Sequence, residues 1–289
     1  MRGALLVGAF CSLVACPLVH TELSPLQYIE NGRPRGFDEV PYLVSIHDTS
    51  DAYCSGVLLS DTWVLSTQFC LQTSAENDTV TAISKSNVSK VRVYASGGAS
   101  YENIPVKRVV PRYSALIGEQ KLSNILLIEL EHKVNQTQTS LFATIGNSNL
   151  MAQEMLEATG LSDEELFSSL TVTVQEPDTC RLLHWREIEI RDSPMICGTV
   201  DMSQSTGDGD SGGPLYRRKS NGQTSVYGLI AGISLLNEEY YTFVNLQYHL
   251  SWISRTTGIP KGTLLSKSAK LKGNPSLGIM LLLVFLWFH

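Results

Sequence analysis

Residues 209–214 read Gly-Asp-Ser-Gly-Gly-Pro. Six fixed residues of this kind rarely recur by chance, so the run is a specific marker. Its glycines allow a tight turn and let another group approach the backbone closely, because no Cβ stands in the way. The chain around this turn is β in character. Tyr227–Ile233 and Tyr241–Asn245 follow it. Tyr42–Ile46, Ser55–Leu59, Thr62–Ser66, Val91–Tyr94, Val106–Val110, Ile125–Leu130 and Leu170–Val174 precede it. Each is a short apolar or β-branched run bounded by turn residues, and Ser55–Leu59 with Thr62–Ser66 reads as a hairpin across Ser60-Asp61. Runs of this length with frequent turns argue for barrels or sandwiches. Two segments have helical character. Glu154–Leu170 mixes helix formers with Gly160, and Leu246–Thr256 places Leu250 and Ile253 on one face. The polar stretch Leu71–Ser89 reads as a loop region.

The two ends stand apart from this pattern. Arg2 followed by the apolar run Ala4–Val14 reads as a secretory signal over residues 1–20, too short to span a bilayer, with cleavage within Ala15–Thr21. At the other end, Leu277–Phe288 carries no charge. As a helix it would reach about 18 Å, short of a hydrocarbon core of roughly 30 Å. Small residues (Ser266, Ser268, Ala269) and a polar spacer with Lys270, Lys272 and Asn274 precede it. That order matches the pattern for a glycosylphosphatidylinositol anchor attached near Ser266, and a short tail anchor is the alternative. The expected organisation is a signal peptide over residues 1–20, one domain over 29–256, a spacer over 257–276 and an apolar tail over 277–289. The expected location is outside the cell, at the outer face of the plasma membrane. About 240 internal residues suit a single all-β domain.

The net charge is −6. The one dense basic cluster, Arg217, Arg218 and Lys219, lies beside Ser220-Asn221-Gly222 and reads as a solvated loop tip, so no nucleic-acid partner is expected. Of six cysteines, Cys11 and Cys16 fall in or next to the signal. Cys54, Cys70, Cys180 and Cys197 remain, an even number consistent with two disulfides in an oxidising compartment. Asn77, Asn87 and Asn135 each open a glycosylation triplet in a polar stretch. No motif calls for a metal or a cofactor.

Together these residues resemble the trypsin-like (chymotrypsin-fold) serine proteases. The resemblance runs from about Ile29 to Ile253, nearly the whole mature chain. Gly209–Pro214 resembles the family's nucleophile turn, with Ser211 at the nucleophile position and the N–H groups of Gly209 and Ser211 at the oxyanion hole. Ile29-Glu30-Asn31-Gly32 with Pro41–Ser45 is similar to the mature amino terminus. Cys54-Ser55-Gly56-Val57-Leu58 and Trp63-Val64-Leu65-Ser66 are similar to the strands before the catalytic histidine, and Tyr241-Thr242-Phe243-Val244 with Trp252-Ile253 to the closing strand and helix. The resemblance implies two six-stranded antiparallel β-barrels with a short C-terminal helix and a site in the cleft between them. It also implies disulfides Cys54–Cys70 and Cys180–Cys197. Closing the first loop is worth about 3 kcal/mol on the chain-entropy view.

The departures from that family are concentrated at the chemistry. Where it reads alanine-alanine-histidine-cysteine, this chain reads Thr67-Gln68-Phe69-Cys70. Phe69 has no nitrogen with which to take a proton from Ser211. The triad aspartate is replaced by Asn124, which is neutral. In serine proteases, losing the histidine costs about 10⁶-fold in kcat and aspartate-to-asparagine about 10⁴-fold. Of the internal histidines His47, His132, His184 and His249, none holds a motif position, and His47 reads as an exposed strand-end residue. No Lys or Arg precedes Ile29 for cleavage, and Glu30 replaces an apolar residue that would insert beside Asp210, where a second carboxylate is unfavourable. At the specificity pocket, Ser205 stands at the preference-setting position, Gly207 replaces a cysteine and Ile233 replaces a glycine. The expectation is a non-catalytic serine protease homologue that acts by binding a protein, such as a protease, a protease inhibitor or a surface receptor. It would serve as decoy, cascade cofactor or adhesion factor. The alternative is an atypical active endopeptidase using Ser211 with another base. The alternative to residual catalysis at Ser211 is that Gly209–Pro214 persists as a structural turn on which the second barrel depends.

Overall fold

A computed structural model describes residues 29–48, 53–68, 88–95, 100–116, 119–135, 142–161, 167–179, 195–220, 222–233 and 240–265. The signal segment, Phe69, Cys70, Asn77, Asn87, Cys180, His184, Ser266 and the apolar tail lie outside the described residues.

The described residues form two antiparallel β-barrels of six strands each. The first contains β2 (Leu43–Asp48), β3 (Tyr53–Leu58), β4 (Trp63–Ser66), β5 (Val88–Tyr94), β6 (Tyr101–Leu116) and β7 (Glu119–Leu130) after a short β1 (Arg33–Arg35). Its order is β2-β3-β4-β7-β6-β5, and β5 returns to pair with β2. The second contains β8 (Met155–Leu161), β9 (Phe167–Val174), β10 (Met195–Thr199), β11 (Pro214–Arg218), β12 (Thr224–Ile233) and β13 (Tyr240–Asn245). Its order is β9-β10-β13-β12-β11-β8, closed by β8 on β9, and β1 adds to the other edge of β9. Helices α1 (Leu246–Thr257) and α2 (Lys261–Leu264) follow. The all-β, two-barrel fold expected from the resemblance is the fold observed.

The apolar runs become the cores. Ile125, Leu126, Leu127 and Ile128 are fully buried on both faces of β7, as a short continuous apolar run requires. Leu156, Ala158, Leu170, Val172, Leu215 and Phe243 fill the second barrel. The expected hairpin forms, with Val57 opposite Leu65. The helix at the end also forms. Asn245 caps it by accepting from the Gln247 N–H at 3.1 Å, and Gly258 ends it at φ +73°. Ile253 is buried and Leu250 half-buried on its inner face. The same helix meets the first barrel, where Arg112 of β6 donates to Nδ1 of the buried His249 and lies 5.3 Å from the centre of the Tyr248 ring.

Two sequence expectations are corrected. Glu154–Leu170 is not helical. It contains β8 and the start of β9, paired from Met155 opposite Thr173 to Leu161 opposite Phe167. Alternation places Leu156 and Ala158 inside and Met155 outside, so pairing overrides helix propensity. Gly160 is required there, since a Cβ would lie 1.8 Å from Oδ1 of Asp210. Arg217 and Arg218 are likewise not a loop tip. They are half-buried in β11, where Arg217 pairs with Glu154, and Arg218 with Glu39 at 3.2 Å.

Candidate active site

The Gly209–Pro214 turn is fastened from both barrels. From the first, the Ser55 N–H donates to the Ser211 carbonyl at 3.0 Å, and Ser55 Oγ donates to the Gly209 carbonyl at 3.0 Å. Ser66 Oγ in turn donates to the Ser55 carbonyl at 2.8 Å. From the second, the Gly212 N–H donates to Ile230 at 2.9 Å and the Ile230 N–H to Gly213 at 2.8 Å. The chain passes so close to its neighbours that side chains are excluded. A Cβ on Gly212, whose φ is +88°, would lie 2.1 Å from the Ser55 carbonyl oxygen, and one on Gly213 would lie 2.3 Å from that of Thr159. Ser211 sits at the crest, 8% exposed. Ser55 and Ser66 were not singled out by sequence. Their only signal is a hydroxyl inside an otherwise apolar strand.

Asp210 is completely buried. Its Oδ2 accepts from the Gly207 N–H at 2.8 Å, whereas Oδ1 lies against Gly160 with no partner of normal hydrogen-bond geometry among the described residues. Burial pushes its carboxyl well above the usual carboxylate range, and backbone donors from Gly207 and Leu161 only partly offset this. A folded-state value above the unfolded one means that Asp210 supports folding below about pH 4 and progressively opposes it as pH rises from there. Asp210→Asn is therefore expected to raise Tm at pH 7, by about 1–3 kcal/mol in stability, and to flatten the decline with pH. Thermal melts between pH 4 and 8 test this. A loss of stability would reveal a cationic partner for the carboxylate.

Asn124 comes to the same seam. Its Oδ1 accepts from the Gln68 N–H at 3.0 Å, latching the residues after β4 to β7, where Ser66 is registered against Leu126. Thr67 and Gln68 are buried beside this latch, and Thr67 Oγ1 and Gln68 Nε2 have no hydrogen-bond partner among the described residues. Asn124→Ala is expected to cost about 1–2 kcal/mol in urea unfolding, and Asn124→Asp much less, because a carboxylate oxygen also accepts from Gln68. Equal losses in the two variants would exclude this latch.

Elsewhere the structure revises the expectations. His47 is not an exposed strand-end residue. It is 4% exposed, with Nε2 2.9 Å from Ser45 Oγ, which in turn lies 3.1 Å from the Tyr94 hydroxyl. His132 is exposed, with Nδ1 against the Lys133 carbonyl. Glu30 does not enter a pocket beside Asp210. It is exposed, its N–H donates to the Ser205 carbonyl at 2.9 Å, and its carboxylate accepts from Ser205 Oγ at 3.3 Å. Ser205 is thus tied to the amino-terminal segment. Cys197 is buried and disulfide-bonded, while Cys180, the partner implied by resemblance, lies outside the described residues. Cys54 is buried in β3, and Cys70 is outside the described residues as well. Asn135 is exposed, as an acceptor of glycan must be.

Comparison with known proteins agrees with this geometry. The sequence pattern of the trypsin family matches residues 29–253, which include both barrels and most of α1. A relative from Halocynthia roretzi, ovochymase, is 23% identical over 237 residues. The alignment covers 76% of this chain but only 14% of that protein's length. The matched span, the paired six-stranded barrels and the glycine turn between them coincide, and the chain belongs to the trypsin family.

Proposed function

We propose that this trypsin-family chain is a non-catalytic homologue that works by binding protein partners outside the cell. One observation carries the reading. Asn124, at the triad aspartate position, is neutral and accepts the Gln68 N–H on its Oδ1, and the residue after Gln68, at the position of the general base, is Phe69. An asparagine there can order the backbone but carries no charge with which to stabilise an imidazolium, and a phenylalanine offers no imidazole. The nucleophile turn keeps its shape for the contacts it makes with Ser55, Ser66 and Ile230. Partners of the expected kinds are a protease, a protease inhibitor or a surface receptor, met at the outer face of the plasma membrane. The C-terminal tail supplies a lipid anchor or a short membrane tail, and phospholipase release from intact cells separates these two.

A serine-directed fluorophosphonate probe, together with a peptide-turnover assay, tests the central claim. The expected result is no Ser211-dependent labelling and turnover about 10⁶-fold below an intact triad. Strong labelling lost in Ser211→Ala, with turnover, would establish the alternative endopeptidase reading. Phe69→His combined with Asn124→Asp is expected to restore only weak activity, because Gln27-Tyr28, with no Lys or Arg, stands immediately before Ile29.

A further inference from the structure

Ser205 belongs to a loop that the barrels themselves hold weakly. Residues 201–207 follow β10 and lead to the Ser211 turn, and they belong to no strand of either barrel. Asp201 and Ser203 are exposed, and the one large apolar side chain of the loop, Met202, is 93% exposed. From β13 the Tyr241 hydroxyl donates to the Gln204 carbonyl at a long 3.4 Å. Loops with so little buried apolar surface open easily unless another segment fastens them.

The fastening comes from the amino-terminal segment. The Glu30 N–H donates to the Ser205 carbonyl at 2.9 Å, and the Ser205 N–H returns to the Glu30 carbonyl at 3.4 Å, which makes an isolated antiparallel bridge. Side chains extend it. Asn31 Nδ2 donates to the Ser203 carbonyl at 2.8 Å, Gln204 Nε2 to the Asn31 carbonyl at 3.0 Å, and Ser205 Oγ to the Glu30 carboxylate at 3.3 Å. The segment is anchored on both sides of these bonds. Before them, Ile29 is 6% exposed and packs in the core cluster of the second barrel with Leu156 and Ala158. After them, β1 pairs with β9 from Arg33 opposite Ser169 to Arg35 opposite Phe167, and Arg35 Nε donates to Ser169 Oγ at 2.8 Å. The path between is tight. Asn31 has φ +52°, and a Cβ on Gly32 would stand 2.2 Å from Ser168 Oγ.

Each of these bonds uses a main-chain or side-chain group that the chain has before any cleavage. Tyr28 precedes Ile29 in the sequence, and none of the bonds draws on a free amino group at Ile29. The Asp210 carboxyl stands apart from them. Its Oδ2 accepts from Gly207, and among the described residues it receives no hydrogen bond from residues 29–35.

We infer that residues 29–35 are a built-in strap that keeps the 201–207 loop ordered in the uncleaved chain, so that the loop carrying Ser205 takes its shape without a proteolytic step. Ordering the loop and completing a catalytic turn are thereby separate matters. The strap supplies the first and brings no cation to Asp210, so a restored triad in the uncleaved chain would still be weak. The inference holds whether or not Ser211 turns over substrate.

The test compares the purified uncleaved protein with a form carrying Asp-Asp-Asp-Asp-Lys inserted directly before Ile29 and cut there by enteropeptidase. Hydrogen exchange read by mass spectrometry follows residues 201–207, with the buried strand residues 125–130 as internal reference. The expected result is protection of 201–207 that agrees within about twofold between the uncut and cut forms. Asn31→Gly combined with Gln204→Ala removes two of the side-chain bonds, and glycine adopts the positive φ of position 31 without strain. This variant is expected to exchange about tenfold faster over 201–207, with 125–130 unchanged. Protection that rises tenfold or more on cutting would overturn the inference, and so would a loop unprotected in both forms. A double variant that exchanges like the parent protein would also overturn it. The comparison of cut and uncut forms changes no residue of the strap, so it decides the matter even if the double variant fails to fold.

Discussion

Gly212→Ala is expected to abolish stable folding, or to leave a protein weakened by about 3–5 kcal/mol, whether or not the turn retains any chemistry. Two costs add. At φ +88° an L residue is strained by about 1–2 kcal/mol. The new methyl group would also stand 2.1 Å from the Ser55 carbonyl oxygen and 2.2 Å from Ser66 Oγ. Neither atom is free to retreat, because the Ser66 hydroxyl donates to that carbonyl and the Ser55 N–H holds Ser211. Overpacking of this kind costs about 1–3 kcal/mol or more. Against a domain stability of about 5–15 kcal/mol, this is a large share. Ser211→Ala, which keeps the backbone, is expected to cost about 1 kcal/mol or less. Urea unfolding of the two variants compares them directly. A mild Gly212→Ala would mean that the turn can move, and that its glycines are not there for packing.

Acid is expected to loosen the protein through His249. This imidazole is 1% exposed and receives a hydrogen bond from Arg112 on Nδ1, so it is held neutral. Burial, and then the adjacent guanidinium, depress its titration from 6.5 to about 3. Protonation would set a second buried cation against Arg112, with Arg255 also nearby. The unfolded chain therefore binds this proton first. The contribution is fully present above about pH 6.5 and is lost as pH falls towards 3, at about 1.4 kcal/mol for each unit crossed. His249→Asn, whose Oδ1 can take the place of Nδ1, is expected to be somewhat less stable at pH 7 but to lose less between pH 6.5 and 4. Parallel melting curves for the two proteins across that interval would exclude His249 as the source.

The sequence disclosed the fold where composition and pairing agree. Ile125–Leu130 has one reading, a buried strand, and it is one. Met155–Leu161 is built from helix formers, and only its neighbours β9 and β11 make it extended, so no local reading finds it. The short strands β1, β10 and β11 have the same difficulty, since each exists only because a partner offers an edge. At the site, the resemblance assigns a position to Asn124 and Ser211, as it does to Phe69, which lies outside the described residues. The grip of Ser55 on the turn was not legible, because 156 residues separate it from Ser211 and closure of two barrels is what brings them together. The direction of the Glu30 carboxylate was equally hidden. An acidic residue beside a pocket can point in or out, and here the hydroxyl of Ser205 draws it outward.

The grip of Ser55 has a consequence for how this chain is inherited. Its two barrels look like separable modules in strand order, although one apolar cluster runs through both, from Val44, Leu58 and Leu127 of the first to Leu161, Phe167 and Leu229 of the second. Yet the carbonyls of Gly209 and Ser211 in one barrel are capped by a serine in the other, and the glycine that makes this possible leaves no room for a different neighbour. Exchanging one barrel for that of a distant relative would leave the turn facing an unfitted surface. Duplication and divergence must therefore act on the pair, and the glycine turn is held in place by that interface whatever chemistry it carries.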